Sequence, residues 1–253
     1  MSVGCALTET EGKITDYSEK SWFNLHSRRF KETLNALLEN VPTQTELLEL
    51  GSFPGHMTLA LKQLGFNVIG VDIAPERFIN ILKGANIPVN KVDLERDQLP
   101  FVSSTFGCVL FTEVLEHLSP ERAPLLLKEI CRVLGPKGYL LISTPNVKTL
   151  DNRLLKFFRK QVMMPEHKKE YAMVEIEQML ESSGFRVVKK WFSLNRDVVT
   201  HGIPDEFISK DHVFVGASKN PYWKNVGRAV TLPIKFLWPS LRSTLFIFAE
   251  KAA

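Results

Sequence analysis

The chain has 253 residues, 44% of them hydrophobic and 24% charged, with a formal net charge of +4. That length and apolar content support a packed core and exclude global disorder, and no uninterrupted run of 18 apolar residues is present to span a membrane. The charge is local. From His212 to Ala249 stand Lys219, Lys224, Arg228, Lys235 and Arg242 without one acid, so the remainder carries 4 − 5 = −1.

The amino end, MSVGCALTETEGKITDYSEK, lacks both a basic cluster and an apolar segment, and Cys5, Cys108 and Cys131 stand in no metal-type spacing. A reducing, cytoplasmic setting is the expectation. Residues 27–40, SRRFKETLNALLEN, read as an amphipathic helix. Short apolar runs then alternate with helical patterns, giving strand candidates at 46–50, 67–72, 87–92, 107–111, 138–143, 185–192 and 244–249. Between the first strand and its helix lies ELGSFPGHMT, with Gly51 and Gly55 marking the turn.

Ser119, Pro120 and Glu121 read as a capped helix start, and that helix should run to about Leu134, where GPKG stops it and turns into the next strand. The interval from about 193 to 243 is far longer than a typical connection between helix and strand, so an insertion is expected there. Strands alternating with helices predict an α/β fold: a doubly wound, mostly parallel sheet covered on both faces, interrupted before its last strand.

In such a sheet a nucleotide binds at the first strand-to-helix turn. The dinucleotide pattern anchored at Gly51 would need glycines at 53 and 56, where Phe53 and His56 stand, and no GK[ST] follows for a phosphate loop. Glu49, Gly51, Phe53 and Gly55 instead resemble the acid-x-G-x-G-x-G motif of class I S-adenosylmethionine methyltransferases, matching at three of four positions. Asp72, with Ile73 beside it, ends the second strand where an acid would hold the ribose hydroxyls, and VDLERDQLPF is similar to the family segment whose Asp93 and Leu94 hold the adenine edge. FGCVLFTEVLEHL is similar to the fourth-strand signature, with Gly107 in place of the usual aspartate. The resemblance covers about 45–193 and resumes at the last strand. It implies a seven-stranded Rossmann-like sheet, S-adenosylmethionine as cofactor, and Glu113 as a further cofactor contact. It divides the chain into an N-terminal helical lid region (1–44), a cofactor-binding core (45–193), a basic aromatic insertion (194–243) and the last strand (244–253).

Methyl transfer to a hydroxyl needs a base or a metal that lowers the hydroxyl's pKa. Glu113, Glu116 and His117 fall at i, i+3 and i+4, which one helical turn would bring to one face, and His167 follows in MPEHKKEY. This set resembles quinone-pathway O-methyltransferases and small-RNA 2′-O-methyltransferases, which implies a Mg²⁺- or Mn²⁺-type site, or His117 and His167 as bases, while a purely structural role in helix capping and the cofactor pocket stays open. His201, between Asp197 and Asp205, is a further candidate base. Asn146 in STPN ends the fifth strand and is a candidate substrate contact. Tyr17, Trp22 and Arg28 could close over the cofactor.

The stretch 219–242 mixes Trp223, Phe236 and Trp238 with basic residues, which suits a substrate lid or a peripheral membrane contact better than a nucleic-acid surface. The expected activity is methylation of an oxygen on a small or lipid-like acceptor, such as a phenol, quinone precursor or sugar. RNA 2′-O-methylation and a non-catalytic binding subunit are the alternatives.

Overall fold

The computed structural model describes residues 1–149, 166–193, 234 and 237–252. Seven strands form one sheet in the order β3-β2-β1-β4-β5-β7-β6. They are β1 (Glu46–Leu50), β2 (Asn67–Asp72), β3 (Val89–Lys91), β4 (Phe106–Thr112), β5 (Leu134–Pro145), β6 (Phe185–Ser193) and β7 (Thr244–Lys251). Pairs β1–β2, β1–β4, β2–β3 and β4–β5 are parallel, whereas β7 runs antiparallel to both β5 and β6. The expected doubly wound, mostly parallel sheet is present.

The central strands are buried on both faces, so their sequences are nearly continuous apolar runs. Period-two alternation still sorts them between two cores. Leu48, Leu50, Val109, Phe111, Leu140 and Ile142 face one core, shared with helices α5 (Arg122–Val133) and α6 (Met173–Ser182). Leu47, Cys108, Leu110, Leu141, Phe246 and Phe248 face the other, shared with α1 (Val3–Lys13), α2 (Tyr17–Asn40), α3 (His56–Gln63) and α4 (Ile79–Lys83).

Several boundaries differ from expectation, three of them for a local reason. Helix α2 begins at Tyr17, ten residues before the predicted start, because the Asp16 side chain accepts the Glu19 N–H and Trp22 and Phe23 continue its apolar stripe. Helix α5 begins at Arg122 with no side-chain cap; the Ser119 carbonyl, not its hydroxyl, accepts the first N–H groups, from Arg122 and Ala123. The GPKG segment is no turn. It lies inside β5, where the β4–β5 register shifts between Phe106 and Cys108 and Lys137 takes a positive φ of 57°.

Strand order reverses about β1 and β4, which places the turn after β1 in the crevice where such sheets bind ligands. The stacking of Phe246 on Trp191, ring centroids 4.9 Å apart, packs β7 against the edge strand β6. Phe246→Ala should lower unfolding free energy by about 3–5 kcal/mol in urea titrations. A loss below about 1 kcal/mol would show that this side chain is not core.

Candidate functional site

The turn after β1 is built by its glycines. Gly51 has φ 75°, and a Cβ there would lie 2.4 Å from Val114 Cγ2. Gly55 has φ 89°, and a Cβ there would lie 2.8 Å from Ile81 Cγ2. Both positions demand glycine. The N–H groups of Gly51 and Ser52 donate to Val71 O at 2.9 and 3.1 Å, fixing the turn to the end of β2.

Asp72 completes that junction. Its Oδ2 accepts the Phe53 N–H at 3.1 Å and its Oδ1 accepts the Ala74 N–H at 2.9 Å. Phe53 therefore serves the loop through its backbone. Its half-exposed ring lies under the Arg77 guanidinium, 4.4 Å from the centroid, and edge-on to Phe78.

A cavity of about 420 Å³ opens beside this junction. Of the nine residues expected to hold a cofactor, Gly51, Asp72, Ile73, Asp93 and Leu94 line it, together with His117 and Lys168. The loop 93–97 is fastened by groups that the sequence reading missed. Arg122 Nε donates to Leu94 O at 2.8 Å and its Nη2 to Asp97 O. Glu95 accepts the Ser119 N–H at 3.1 Å and pairs with Lys168 Nζ at 3.1 Å.

Glu113 is held by two protein groups. With φ 56°, it ends β4 in a left-handed turn, and a 3-10 turn, Leu115–His117, follows in place of an α-helix. Glu113 Oε1 accepts the Ser143 hydroxyl at 2.7 Å and Oε2 pairs with Arg29 Nη1 at 3.0 Å. Each oxygen thus has a protein partner, and the i, i+3, i+4 face never forms. Arg29 of α2, not Arg28, is the cation that reaches the sheet; Arg28 pairs with Glu32 along the helix surface. Tyr17 is exposed, and Trp22 packs on His26, Phe30 and His56.

Glu116, His117 and His167 do meet, offering ligand atoms all within 4.8 Å of one another. Glu116 is buried and accepts the Thr144 hydroxyl at 2.9 Å; burial, then repulsion from Glu113, pushes its carboxyl up to about 8. The two imidazoles are edge to face, centroids 5.1 Å apart. His117 Nδ1 lies 3.1 Å from Glu166 O, and His167 Nδ1 lies 3.2 Å from Glu170 Oε1. A neutral ring that donates through Nδ1 to such an oxygen presents Nε2 as its lone-pair nitrogen. Backbone N–H groups of Lys168 and Lys169 donate to Glu116 O, clamping the 166–171 segment over the cluster.

Asn146 is buried and its side chain is fully engaged: Nδ2 donates to Ser240 O and Arg242 O, and Oδ1 accepts the Lys148 N–H. It staples the turn Pro239–Leu241 to the end of β5. His201 and the stretch 219–233 lie outside the described residues.

Residues 23–190 match the model of a family described as "Methyltransferase domain". The chain belongs to the class I S-adenosylmethionine-dependent methyltransferases. It is 27% identical over 172 residues to a Mycolicibacterium smegmatis protein named a probable S-adenosylmethionine-dependent methyltransferase, covering 67% of this chain and 61% of that one. It is 27% identical over 103 residues to the ubiquinone biosynthesis O-methyltransferase of Azorhizobium caulinodans, 40% of each chain. The chain thus spans less than two thirds of either relative's length. A solved S-adenosylmethionine-dependent methyltransferase from Archaeoglobus fulgidus shares the fold, with TM-score 0.59 and 24% identity, covering 93% of this chain and 100% of that one.

The methyltransferase's own polar groups fit the cofactor. Glu49 is fully buried at the start of the glycine turn, and its Oε2 has no hydrogen-bond partner. Burial pushes its carboxyl from 4.5 to about 8, partly offset by the nearby Thr58 hydroxyl, with Asp72 adding to the rise. Such an acid takes up a proton on folding, so the ligand-free protein should lose stability as pH rises from about 4.5 to about 8. A cationic amino group delivered nearby would favour the carboxylate and expel that proton. Calorimetry with S-adenosylhomocysteine at neutral pH, repeated in buffers of different ionisation enthalpy, should detect proton release that Glu49→Gln abolishes. Asp72→Ala should weaken the same ligand about 100-fold, since two charge-assisted loop bonds and the ribose contact go together. Unchanged affinity would remove Asp72 from the cofactor site.

Proposed function

We propose that this methyltransferase moves the methyl group of S-adenosylmethionine to an oxygen of a small or lipid-like acceptor, with phenols, quinone precursors and sugars the favoured classes. One observation carries the reading: His117 belongs both to the cofactor cavity wall and to the cluster with Glu116 and His167. A hydroxyl nucleophile needs a proton acceptor beside the methyl donor, and imidazoles with free Nε2 lone pairs supply it. The O-methyltransferase named among the relatives supports oxygen as the accepting atom.

In this reading the acceptor oxygen attacks the methyl carbon in line with the carbon–sulfur bond, and that bond's electron pair leaves with sulfur. The hydroxyl proton passes to Nε2 of His117 or His167. The rest is positioning, which for a displacement with a good leaving group supplies much of the acceleration. The Asp72 junction and the Arg122-fastened loop hold the donor, and the clamped 166–171 segment holds the base.

The same three side chains also fit a divalent ion of the Mg²⁺ or Mn²⁺ kind, with Glu116 giving a carboxylate oxygen and each histidine its Nε2. When bound, such an ion lowers the pKa of an acceptor hydroxyl. A screen of phenols, quinone precursors and sugars with labelled methyl donor tests the function directly. With the acceptor found, Glu116→Gln and His167→Ala should each lower kcat about 10²–10⁴-fold while leaving S-adenosylhomocysteine affinity unchanged. A chelator that abolishes activity, with Mn²⁺ restoring it, supports the ion. Full activity in both variants would sink the cluster's role.

A further inference from the structure

A second cavity of about 420 Å³ opens between α6, the end of β6 and the turn Pro239–Leu241. Met173, Val174 and Phe192 give it an apolar lining, while Lys148, Lys190 and Glu177 supply its charges. Lys190 pairs with Glu177, and the exposed Lys148 acts electrostatically on Glu175, which also pairs with Lys169, so among the described residues these five groups keep one positive charge in excess. Ser193 and Pro145 both align with Thr244, which puts the ends of β6 and β5 at one edge of the sheet. That is also the edge at which the turn after β1 opens.

One segment walls both cavities. Lys168 lines the cofactor cavity and Met173 the second, and between them Tyr171 bridges to Asn146 at the end of β5. His167 of the base cluster immediately precedes Lys168. Extended backbone from 168 to 173 reaches at most about 17 Å. A molecule with its hydroxyl at the cluster and its far end in the second cavity need span no more than about that distance.

We infer that the second cavity seats the remote end of the methyl acceptor, and that this end is an apolar body carrying an anionic group held near Lys148. The inference rests on the methyl-transfer reading and narrows its acceptor class to anionic amphiphiles. An apolar lining takes the body by burial, and the positive excess beside it selects the charge. Val174 is half exposed on the lining, and Leu237 and Trp238 are exposed beside the turn, so apolar surface continues outside the mouth for a longer chain.

The test uses the whole chain saturated with S-adenosylhomocysteine and two fluorescent probes of similar shape, 1-anilinonaphthalene-8-sulfonate and the neutral N-phenyl-1-naphthylamine. Both should bind saturably at one site. Lys148→Glu should weaken the sulfonate about tenfold, equivalent to about 1.4 kcal/mol, and leave the neutral probe unchanged. Val174→Trp should exclude both. Thermal melts and S-adenosylhomocysteine affinity should be as in the parent chain, since both positions are exposed and distant in sequence from the cofactor loop. Equal sulfonate affinity in parent and Lys148→Glu overturns the charge assignment, and undiminished binding of both probes to Val174→Trp overturns the cavity. Failure to bind S-adenosylhomocysteine would instead strike the methyltransferase reading, with the probe results still deciding the second cavity.

Discussion

The site depends on one carboxylate accepting backbone N–H groups from two turns. Strands β1 and β2 are parallel neighbours with Leu50 opposite Val71, so their ends arrive together, and Asp72 ties Phe53 of the first turn to Ala74 of the second. An ionised carboxylate offers about four lone-pair positions. Two are spent on the loops, and Asp72 also lines the cavity. Loop order and the cavity wall therefore share a single group, and any change that frees one turn also alters the wall. Asparagine would keep one oxygen and turn the other position into a donor, so even this isosteric change opposes one of the two N–H groups.

Charge is managed around that junction by holding acids neutral. Glu113 is compensated by Arg29, whose guanidinium also reaches Glu116 electrostatically, yet Glu49 and Glu116 remain raised to about 8 by burial. Three ionised carboxylates with one arginine would be costly in so dry a place. Protonation removes the cost until a cation arrives. A positive charge brought close to either acid would favour its ionised form. The neutral resting state also spares the fold from mutual repulsion, since Glu113 and Glu116 act on each other directly.

Much of this was legible from the chain because burial on both faces writes strands as apolar runs: β1 and β2 fall where the pattern put them. Glycines forced by positive φ marked the cofactor turn equally well. The side chains that fasten the site were harder to read. Arg28 and Arg29 are neighbours on a helix, and only docking decides which reaches the sheet. The signal was a second stripe, Trp22, His26, Arg29 and Thr33, at helical spacing, whereas Arg28 keeps company with Asn24 and Glu32. Helical spacing misled at Glu113, since a positive φ and a 3-10 turn break the face on which three ligands would have stood. In GPKG the glycines looked like a turn but serve an irregular, extended entry to β5. Segment 166–171 has no periodicity, and its partner, the Glu116 carbonyl, lies fifty residues earlier.

Topology explains why the acceptor side could be built where it is. Inserting β7 antiparallel between β5 and β6 makes β6 run in the same direction as β5, so the chain leaves the sheet at Ser193 on the functional edge and re-enters there at Thr244. Asn146 fixes the point of return by holding the carbonyls of Ser240 and Arg242 against the end of β5. The long interval between these anchors is therefore tethered at both ends beside the second cavity, whatever its own sequence. The register of β5, β6 and β7 is set by pairs that all lie outside that interval.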